Sequence, residues 1–391
     1  MDDPPTLPVR TTNRLAHPTC LTCDCDVLVC GASFAGLAVA RELAGTGARV
    51  LVIDRYGLGE RQTSACAMPT VWLQALELMS CWRQTFNEIV VHTPCHTARW
   101  TLPWSFSTFD YRELCALMWE QANCPELELQ TATVLGREGN TVHTDRGELR
   151  APLIVDALGW RRILSNASTI QPPHARLSRG LEVHPAGTGD KMEVWIDPRY
   201  IRAGYAWSFP AHDELRIGVG SFWPAHHVKE PTIRLAGEVG VAPLGYQGNW
   251  IPHQLRAATE DGLFFVGDSA GHCLPLTAEG IRTALYFGLA CGRELRTVLA
   301  GKRTRQQALA RYGAFSAAHA RHYAFLLFAQ RAVSQITPSR AMTEIVRAFE
   351  NRLVSALGFR YYMTIAPSSF IDADKQTRDQ PTRPPARATA S

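Results

Sequence analysis

The chain lacks any run of about eighteen consecutive apolar residues, the length that a helix needs to cross a bilayer. Its first residues, Met-Asp-Asp-Pro-Pro, lack the positive and apolar regions of a secretory signal peptide. It also lacks a block of basic residues, because its net charge of +4 arises from 40 basic and 36 acidic residues spread along the chain. We therefore expect a cytoplasmic protein with no integral membrane segment and no nucleic-acid partner.

Lysine is scarce, and the cysteines do not form a disulfide pattern. Only four lysines occur, and residues 55–150 contain none. Eleven cysteines, an odd number, are scattered over 391 residues, which does not suit a disulfide framework. Cys20, Cys23, Cys25 and Cys30 are closely spaced, but Cys25 and Cys30 fall at the start and end of a predicted strand, whose geometry keeps four sulfur atoms from converging. We predict no metal site, and the role of these four cysteines stays open.

The apolar content is high enough for a large core. Hydrophobic residues make up 46% of the 391 residues, a size that suits two domains or one domain with a sizeable insertion. The two ends, residues 1–22 and 371–391, are rich in Pro, Thr, Arg and Asp, and we expect them to be disordered.

A first motif predicts a nucleotide site near the N-terminus. Residues 26–30 form a short apolar strand, followed by a turn with Gly31, Ser33 and Gly36 and then by a helical pattern. A second strand ends at Asp54, about twenty residues beyond the turn, where a carboxylate can bind a ribose hydroxyl. Gly31 would make the tight turn, Gly36 would let helix and strand approach, and the helix start would face a pyrophosphate. Ser33 replaces the usual middle glycine.

The most informative motif spans residues 267–281. The apolar run 262–266 before it predicts a strand in a covered parallel sheet, so Asp268 lies at the carboxyl end of a strand, where ligands of such sheets bind. Pro275 ends the loop, and a pattern of apolar residues at helical spacing begins at Thr277. The partial positive charge of a helix start stabilises the negative charge that a reduced flavin develops. The motif therefore predicts a flavin site.

A third strand, residues 151–156, closes on a turn with Gly159, so three strand ends point toward one ligand. In this order the motifs resemble the FAD-binding domain of the para-hydroxybenzoate hydroxylase superfamily over about residues 26–299. The resemblance implies FAD as the cofactor. The residues that we assign to it are Gly31, Ser33, Gly36, Asp54, Arg55, Arg61, Arg112, Gly159, Gly267, Asp268, Gly271, Pro275, Gly280 and Ile281.

The electron donor stays open. The middle motif of that superfamily usually carries Asp-Gly, whereas Leu158 precedes Gly159 here, which puts a standard NAD(P)H site in doubt. NAD(P)H, ferredoxin and a separate flavin reductase are equally compatible with the sequence.

The stretch between the second and third flavin motifs predicts an antiparallel sheet, one face of which can line a cavity above the flavin. Within it, Tyr205-Ala-Trp207-Ser-Phe209-Pro210 is followed by Gly218 and Gly220. This run resembles the Tyr-x-Trp-x-Phe-Pro signature of the geranylgeranyl reductase family, which implies that Tyr205 and Trp207 line the substrate pocket. The alternative is that the aromatic side chains simply form core. Flavin halogenases carry a related run but need an active-site lysine, so the scarcity of lysine disfavours halogenation.

Two further residues are candidates for the catalytic site. Cys66 follows the second strand, where archaeal geranylgeranyl reductases place a cysteine near the flavin, so the resemblance implies that it positions an alkene or donates a proton. His272 lies inside the 267–281 motif. The alternatives are a buried small side chain for Cys66 and a structural role for His272. Residues 303–357 predict amphipathic helices that cap the cavity or pack on the flavin domain, with peripheral membrane contact as an option.

We predict an α/β fold in which a doubly wound, Rossmann-like FAD domain (23–75, 105–165 and 256–300) is interleaved with an antiparallel-sheet substrate domain (76–104 and 166–255) and followed by C-terminal helices (301–370). The expected activity is that of an FAD-dependent oxidoreductase that reduces carbon–carbon double bonds of a hydrophobic, isoprenoid-like small molecule by hydride transfer, with a redox partner as an option. The alternatives are a flavin-dependent monooxygenase (hydroxylase or epoxidase) on a hydrophobic or aromatic molecule, a reduced-flavin-dependent non-redox cyclase or isomerase, and a noncatalytic electron carrier.

Overall fold

The structure is a computed structural model that describes residues 23–62, 64–166, 177–336 and 340–372. The N-terminal tail for which disorder is predicted lies outside these residues, as does the C-terminal tail from residue 373 onward.

Eighteen strands form in the described part of the chain. They are β1 (Cys23–Asp24), β2 (Val27–Cys30), β3 (Val50–Asp54), β4 (Ala67–Pro69), β5 (Trp82–Thr93), β6 (His96–Phe109), β7 (Leu127–Thr131), β8 (Val134–Glu138), β9 (Thr141–Thr144), β10 (Gly147–Arg150), β11 (Leu153–Asp156), β12 (Leu177–Val183), β13 (Met192–Trp195), β14 (Gly204–Ala211), β15 (Glu214–Ser221), β16 (Gln247–Pro252), β17 (Thr259–Glu260) and β18 (Leu263–Phe265).

Nine α-helices accompany them in those residues, with 3₁₀ turns at Met79–Cys81 and Gly267–Ala270. The helices are α1 (Phe34–Leu43), α2 (Thr70–Ala75), α3 (Tyr111–Ala122), α4 (Lys229–Val239), α5 (Ile281–Leu299), α6 (Arg305–Ala317), α7 (Ala320–Gln335), α8 (Arg340–Ala348) and α9 (Arg352–Thr364).

The three motif strands pair in one six-stranded sheet of order β17-β18-β11-β2-β3-β7, in which every pair except β17–β18 is parallel. Apart from Asp54 and Asp156, the acids that end β3 and β11, the residues of β2, β3 and β11 are apolar and buried, as expected for a covered parallel sheet. Helix α5 packs tightly on α1: a Cβ added to Gly288 would lie 2.6 Å from the carbonyl oxygen of Ala35, so a larger residue would push the helices apart. This sheet confirms the predicted α/β fold.

The substrate half is an eight-stranded sheet of order β16-β12-β15-β14-β13-β5-β6-β4. Its pairs are antiparallel except β13–β5. The predicted strands around 205–209 and 215–220 form the β14–β15 hairpin, in which Trp207 lies opposite Gly218. A separate four-stranded sheet of order β1-β10-β9-β8 contributes Val134, Val142 and Leu149 to the same core as the six-stranded sheet.

Helix α5 begins later than the sequence predicts, at Ile281 rather than near Thr277. Leu276 and Ala278 have φ values of 69° and 51°, which a right-handed helix excludes. Residues 275–280 therefore form a loop. The Glu279 carboxylate secures it by accepting hydrogen bonds from the backbone N–H (2.8 Å) and the guanidinium (3.0 Å) of Arg282.

Candidate functional site

The turn after β2 is built for close approach of a ligand and of α1. Gly31 has a φ of 114°, and a Cβ there would lie 2.3 Å from the carbonyl oxygen of Ala157. A Cβ on Gly36 would lie 1.8 Å from the carbonyl oxygen of Gly31, so both positions require glycine. Asp54 accepts a hydrogen bond from the Ala32 N–H (2.8 Å), which places its carboxylate beside the turn.

The start of α1 keeps its backbone N–H groups available. Ser33 is the N-cap, yet its side chain caps no helix N–H, and its hydroxyl instead accepts a hydrogen bond from Tyr111 (3.1 Å). Such an uncapped helix start suits a pyrophosphate.

The three arginines assigned to the cofactor are exposed at the periphery of this turn. The guanidinium groups of Arg55 and Arg61 lie 4.8 and 5.3 Å from the ring centroid of Tyr56. Arg112 follows Tyr111 in α3, and its Cα would contact a Cβ added to Gly59 at 2.8 Å. Their roles in phosphate binding stay predictions.

Asp268 stands at the junction between β18 and α5. Gly267 before it has a φ of 61°, and a Cβ there would lie 2.9 Å from the Cβ of Ala35 in α1. Burial raises the pKa of Asp268 to about 6, although nearby Arg256 opposes the shift. Among the described residues no group donates a hydrogen bond to this carboxylate, and it lies close to Gly280 at the start of α5. Burial removes part of the hydration of this carboxylate, and no described group replaces it with a hydrogen bond. The site therefore suits a ligand whose hydroxyl groups can donate hydrogen bonds to Asp268.

These features fit FAD. The glycine turn and the start of α1 can hold the pyrophosphate, Asp54 the adenosine ribose, and Asp268 the ribityl hydroxyls. Gly280, the N-cap of α5, provides no side-chain cap. Glu279 caps the N–H of Arg282 (2.8 Å), which leaves the N–H groups of Gly280 and Ile281 available to the flavin ring.

The remaining glycines and Pro275 shape the loops around this site. Gly159 and Gly271 have φ values of 84° and 67°, and a Cβ on Gly271 would lie 2.0 Å from the carbonyl oxygen of Gln254. The carbonyl of Pro275 accepts a hydrogen bond from the Thr277 N–H (2.8 Å), which closes the loop before α5.

Asp156, at the end of β11, was not foreseen as a functional residue and joins two of the motifs. It is fully buried, its pKa is raised by burial, and it accepts hydrogen bonds from the Ser269 hydroxyl (2.6 Å) and the Leu158 N–H (2.9 Å). The acid that ends the apolar strand in the sequence is the signal that could have identified it.

A cavity of about 1020 Å³ lies between the eight-stranded sheet and helices α7, α8 and α9, and it reaches residues 276–281 of the flavin loop. Most of its wall is apolar. Cys66, Leu276 and Ala278 border it with positive φ values, which are unfavourable for residues other than glycine. Backbone strain of this kind concentrates at functional sites.

Tyr205 and Trp207 both border the cavity, as the resemblance implies, although their roles stay predictions. The Tyr205 hydroxyl donates a hydrogen bond to the carbonyl of Thr277 and so ties β14 to the flavin loop. The Trp207 indole lies across β15, because a Cβ added to Gly218 would be 2.2 Å from its ring.

Cys66 also borders the cavity, and Arg216 positions its backbone. The buried Arg216 guanidinium donates hydrogen bonds to the carbonyls of Ala65 (2.8 Å), Cys66 (3.2 Å) and Phe109 (2.9 Å). Burial raises the pKa of the Cys66 thiol well above its usual value, although the charge of Arg216 opposes this, so the thiol stays protonated. A charged residue within the apolar run of β15 was the available signal for Arg216.

His272 is not brought to the cavity. It is fully buried, its ring stacks on Phe287 with centroids 3.7 Å apart, and its Nε2 is hydrogen-bonded to the Ser316 hydroxyl (3.0 Å). Burial lowers the pKa of His272 well below its usual value and keeps it neutral. This environment favours the structural role over proton transfer.

In the part of the chain that the structure describes, no three His, Cys, Asp or Glu side chains are grouped as metal ligands. Cys25 and Cys30 are buried, while the side chains of Cys20 and Cys23 lie outside the description.

Comparison with known proteins shows what the chain as a whole resembles. No family model matches the chain. Digeranylgeranylglycerophospholipid reductase 3 of Methanosphaera stadtmanae is 23% identical over 385 residues, which cover 88% of this chain and 96% of that protein. A geranylgeranyl bacteriochlorophyll reductase-like structure from Thermoplasma acidophilum has a TM-score of 0.76 at 14% identity and covers 91% of this chain and 99% of its own. A probable FAD-dependent monooxygenase from Pseudomonas aeruginosa has a TM-score of 0.59 at 18% identity. That alignment covers 86% of this chain and 99% of the monooxygenase chain. These matches confirm the resemblance to the geranylgeranyl reductase family and the prediction of an FAD-dependent oxidoreductase.

Proposed function

We propose that this protein reduces carbon–carbon double bonds of a hydrophobic, isoprenoid-like substrate in its cavity. The cavity carries the proposal: an apolar space of about 1020 Å³ meets the loop that begins α5 and is large enough for a long hydrocarbon chain. The relative that aligns with 88% of the chain is named as a reductase of a geranylgeranyl lipid.

The chain's own residues would bind the substrate, exclude water and supply a proton, while bound FAD supplies hydride chemistry. Reduction of an alkene places a hydride on one carbon and a proton on the other. Cys66 is the proposed proton donor because its thiol is protonated and borders the cavity. The Tyr205 proton is engaged with the Thr277 carbonyl, so Tyr205 is proposed to orient the loop.

The test uses FAD-loaded protein, reduced anaerobically and mixed with an isoprenoid alkene. We expect the flavin to be reoxidised and the product to be heavier by two hydrogen atoms. Cys66→Ser should slow this step roughly a hundredfold, whereas Cys95→Ser, at an exposed cysteine in the β5–β6 turn, should not. In a parallel reaction in air, oxygen uptake with an oxygenated product would replace the proposal by the monooxygenase alternative. The fold shared with a probable FAD-dependent monooxygenase is the observation behind that alternative. An unchanged product mass would indicate a cyclase or isomerase.

We propose that electrons reach the flavin from outside the chain, through NAD(P)H, ferredoxin or a separate flavin reductase. Leu158 occupies the position of the usual aspartate, so no donor is favoured by the residues present. Anaerobic mixing of the oxidised protein with each donor, followed at the flavin absorbance, identifies the one that reduces it.

We propose a cytoplasmic location with peripheral membrane contact. In the described ranges no helix is long and apolar enough to cross a membrane. However, two of the helices that cover the cavity carry large exposed apolar side chains. Phe328 on α7 is 69% exposed, and Leu353 and Leu357 on α9 are 76% and 69% exposed. Co-sedimentation with lipid vesicles should weaken in the double variant Phe328→Ser, Leu353→Ser, and equal sedimentation would reject the contact.

A further inference from the structure

The cavity runs across the strands of the eight-stranded sheet, from the flavin loop to helix α8. Trp207 on β14 pairs with Val194 on β13, and Val194 pairs with Val91 on β5. All three side chains border the cavity. The β14 end of this row lies beside the flavin loop, because the Tyr205 hydroxyl donates a hydrogen bond to the Thr277 carbonyl. Neighbouring strands are about 5 Å apart, so the path from Trp207 to Val91 is roughly 10 Å long.

The two ends of the cavity differ in polarity. Strands β12 and β16 contribute polar side chains to its wall, namely Arg179, Glu182, Gln247 and Asn249. Beneath α8 the wall is apolar and consists of Val91, Val194, Ile196, Met342, Ile345 and Val346. A polar head group is therefore favoured at β12 and β16, and a hydrocarbon chain is favoured toward α8.

The free space ends between Val194 and Val91. Val194 is half-buried, whereas Val91 is only 1% exposed. Met342 and Val346 of α8 are buried and pack in one apolar cluster with Val91. We call Val91, Met342 and Val346 the end wall. A hydrocarbon chain cannot pass the end wall without displacing α8.

Hydrogen bonds hold α8 against the sheet at this point. The Trp100 indole N–H on β6 donates to the carbonyl of Val346 (3.0 Å), and its ring centroid lies 5.0 Å from that of Phe349, which directly follows α8. The hydroxyl of Thr93 on β5 is hydrogen-bonded to the hydroxyl of Thr343 (3.2 Å). Because hydrogen bonds require a defined distance and direction, they fix the position of the end wall more firmly than apolar packing alone would.

We infer that the end wall sets the longest hydrocarbon chain that the cavity accepts, so that the protein selects its substrate by chain length. This inference rests on the proposed function, since it defines the substrate class of the same cavity. A chain that reaches the end wall gains affinity with each methylene group that it buries. A longer chain must leave methylene groups in water or push α8 away, so its affinity should fall.

The test measures equilibrium binding of geranyl, farnesyl, geranylgeranyl and geranylfarnesyl diphosphate to the full-length, FAD-loaded protein through changes in flavin absorbance. These probes share one head group and differ only in chain length. For the wild type, affinity should rise with length up to one member of the series and fall roughly tenfold at the next. A steady rise through the whole series would overturn the inference.

Two variants move the limit in opposite directions. Val194→Trp fills the path before the end wall and should weaken the longest probe at least roughly tenfold relative to the shortest. Met342→Ala moves the end wall outward and should shift the preferred length to a longer probe. Equal weakening of all four probes by Val194→Trp would overturn the inference, as would an unchanged length preference in folded Met342→Ala. Where thermal unfolding shows that Met342→Ala is not folded, Val194→Trp alone decides.

Thr101→Trp is the matched control. Threonine has the shape of valine, and Thr101 on β6 is exposed, follows Trp100 on the opposite face of the strand and does not border the cavity. Its replacement should leave the length preference unchanged. Binding and reduction are read separately. A length limit that responds to Val194→Trp, without flavin reoxidation, would reject the reductase and leave this inference standing. Reduction with a length preference that neither variant changes would reject this inference alone.

Discussion

Replacing Asp268 by asparagine should make the FAD-free protein more stable and FAD binding weaker. Burial raises the pKa of this carboxyl from 3.8 to about 6 without a bound ligand. A shift of about two units corresponds to at most ~3 kcal/mol. Because Asp268 keeps some solvent contact, we expect about 1–2 kcal/mol.

The sign of the effect follows from proton binding. Between about pH 4 and pH 6 the folded protein binds more protons at Asp268 than the unfolded chain does, so its stability falls as the pH rises through this window. Asp268→Asn removes that dependence and should be more stable than the wild type at pH 7.5, with little difference at pH 4.

FAD binding should respond in the opposite direction. A carboxylate accepts hydrogen bonds from the ribityl hydroxyls more strongly than an amide does, so losing it should weaken FAD binding by about 1.5–3 kcal/mol, roughly ten- to a hundredfold. For the wild type, FAD affinity should increase as the pH rises through about 6, because the ligand favours the ionised acid.

The assays are urea unfolding of the FAD-free protein at pH 4 and pH 7.5 and FAD titration by quenching of flavin fluorescence. Asp213→Asn, at the exposed β14–β15 turn, is the control and should change neither quantity. An Asp268→Asn protein with wild-type FAD affinity would refute the placement of this acid against the cofactor. Lower stability at pH 7.5 would refute the argument from desolvation.

Three further predictions concern the turns and the cavity. Gly218→Ala should displace the Trp207 ring, lower the free energy of unfolding by about 1–3 kcal/mol and weaken substrate binding in titrations. Gly220→Ala is the control and should be almost neutral, because a Cβ there would lie 3.4 Å from the same ring. Equal effects of the two substitutions would contradict the placement of the indole. Gly31→Ala should lower FAD affinity at least roughly tenfold in a fluorescence titration. The φ of Gly31 is 114°, and a Cβ there would lie 2.3 Å from the carbonyl oxygen of Ala157, so the turn excludes a side chain. Retention of bound flavin through gel filtration at the wild-type level would argue against this prediction. Alkylation at pH 8, read by mass mapping, should modify the exposed Cys95 quickly and Cys66 only after unfolding. The reason is that Cys66 is buried and that burial raises the pKa of its thiol. Rapid labelling of Cys66 would show that this thiol is ionised and accessible.

The shape of the N-terminal glycine turn could be predicted because its determinants are local. Gly31, Gly36 and Asp54 lie within one strand–turn–helix–strand unit, where spacing along the chain sets spacing in space. The start of α5 was predicted too early because Leu276 and Ala278 adopt positive φ values, which apolar spacing and helix propensity do not reveal.

The sequence by itself determined the α/β flavin fold and the aromatic face of β14, because glycine turns, strand ends and alternation are encoded over a few residues. Only the tertiary structure decided which polar groups meet. Arg216 supports the Cys66 loop from about 150 residues away, and Glu182 meets Trp207 and Gln247 across three strand pairings. Such encounters depend on strand order and register, which bring together residues that no local pattern relates. His272 shows the reverse case, because its position within the flavin motif suggested chemistry, whereas packing against Phe287 buries it away from the cavity.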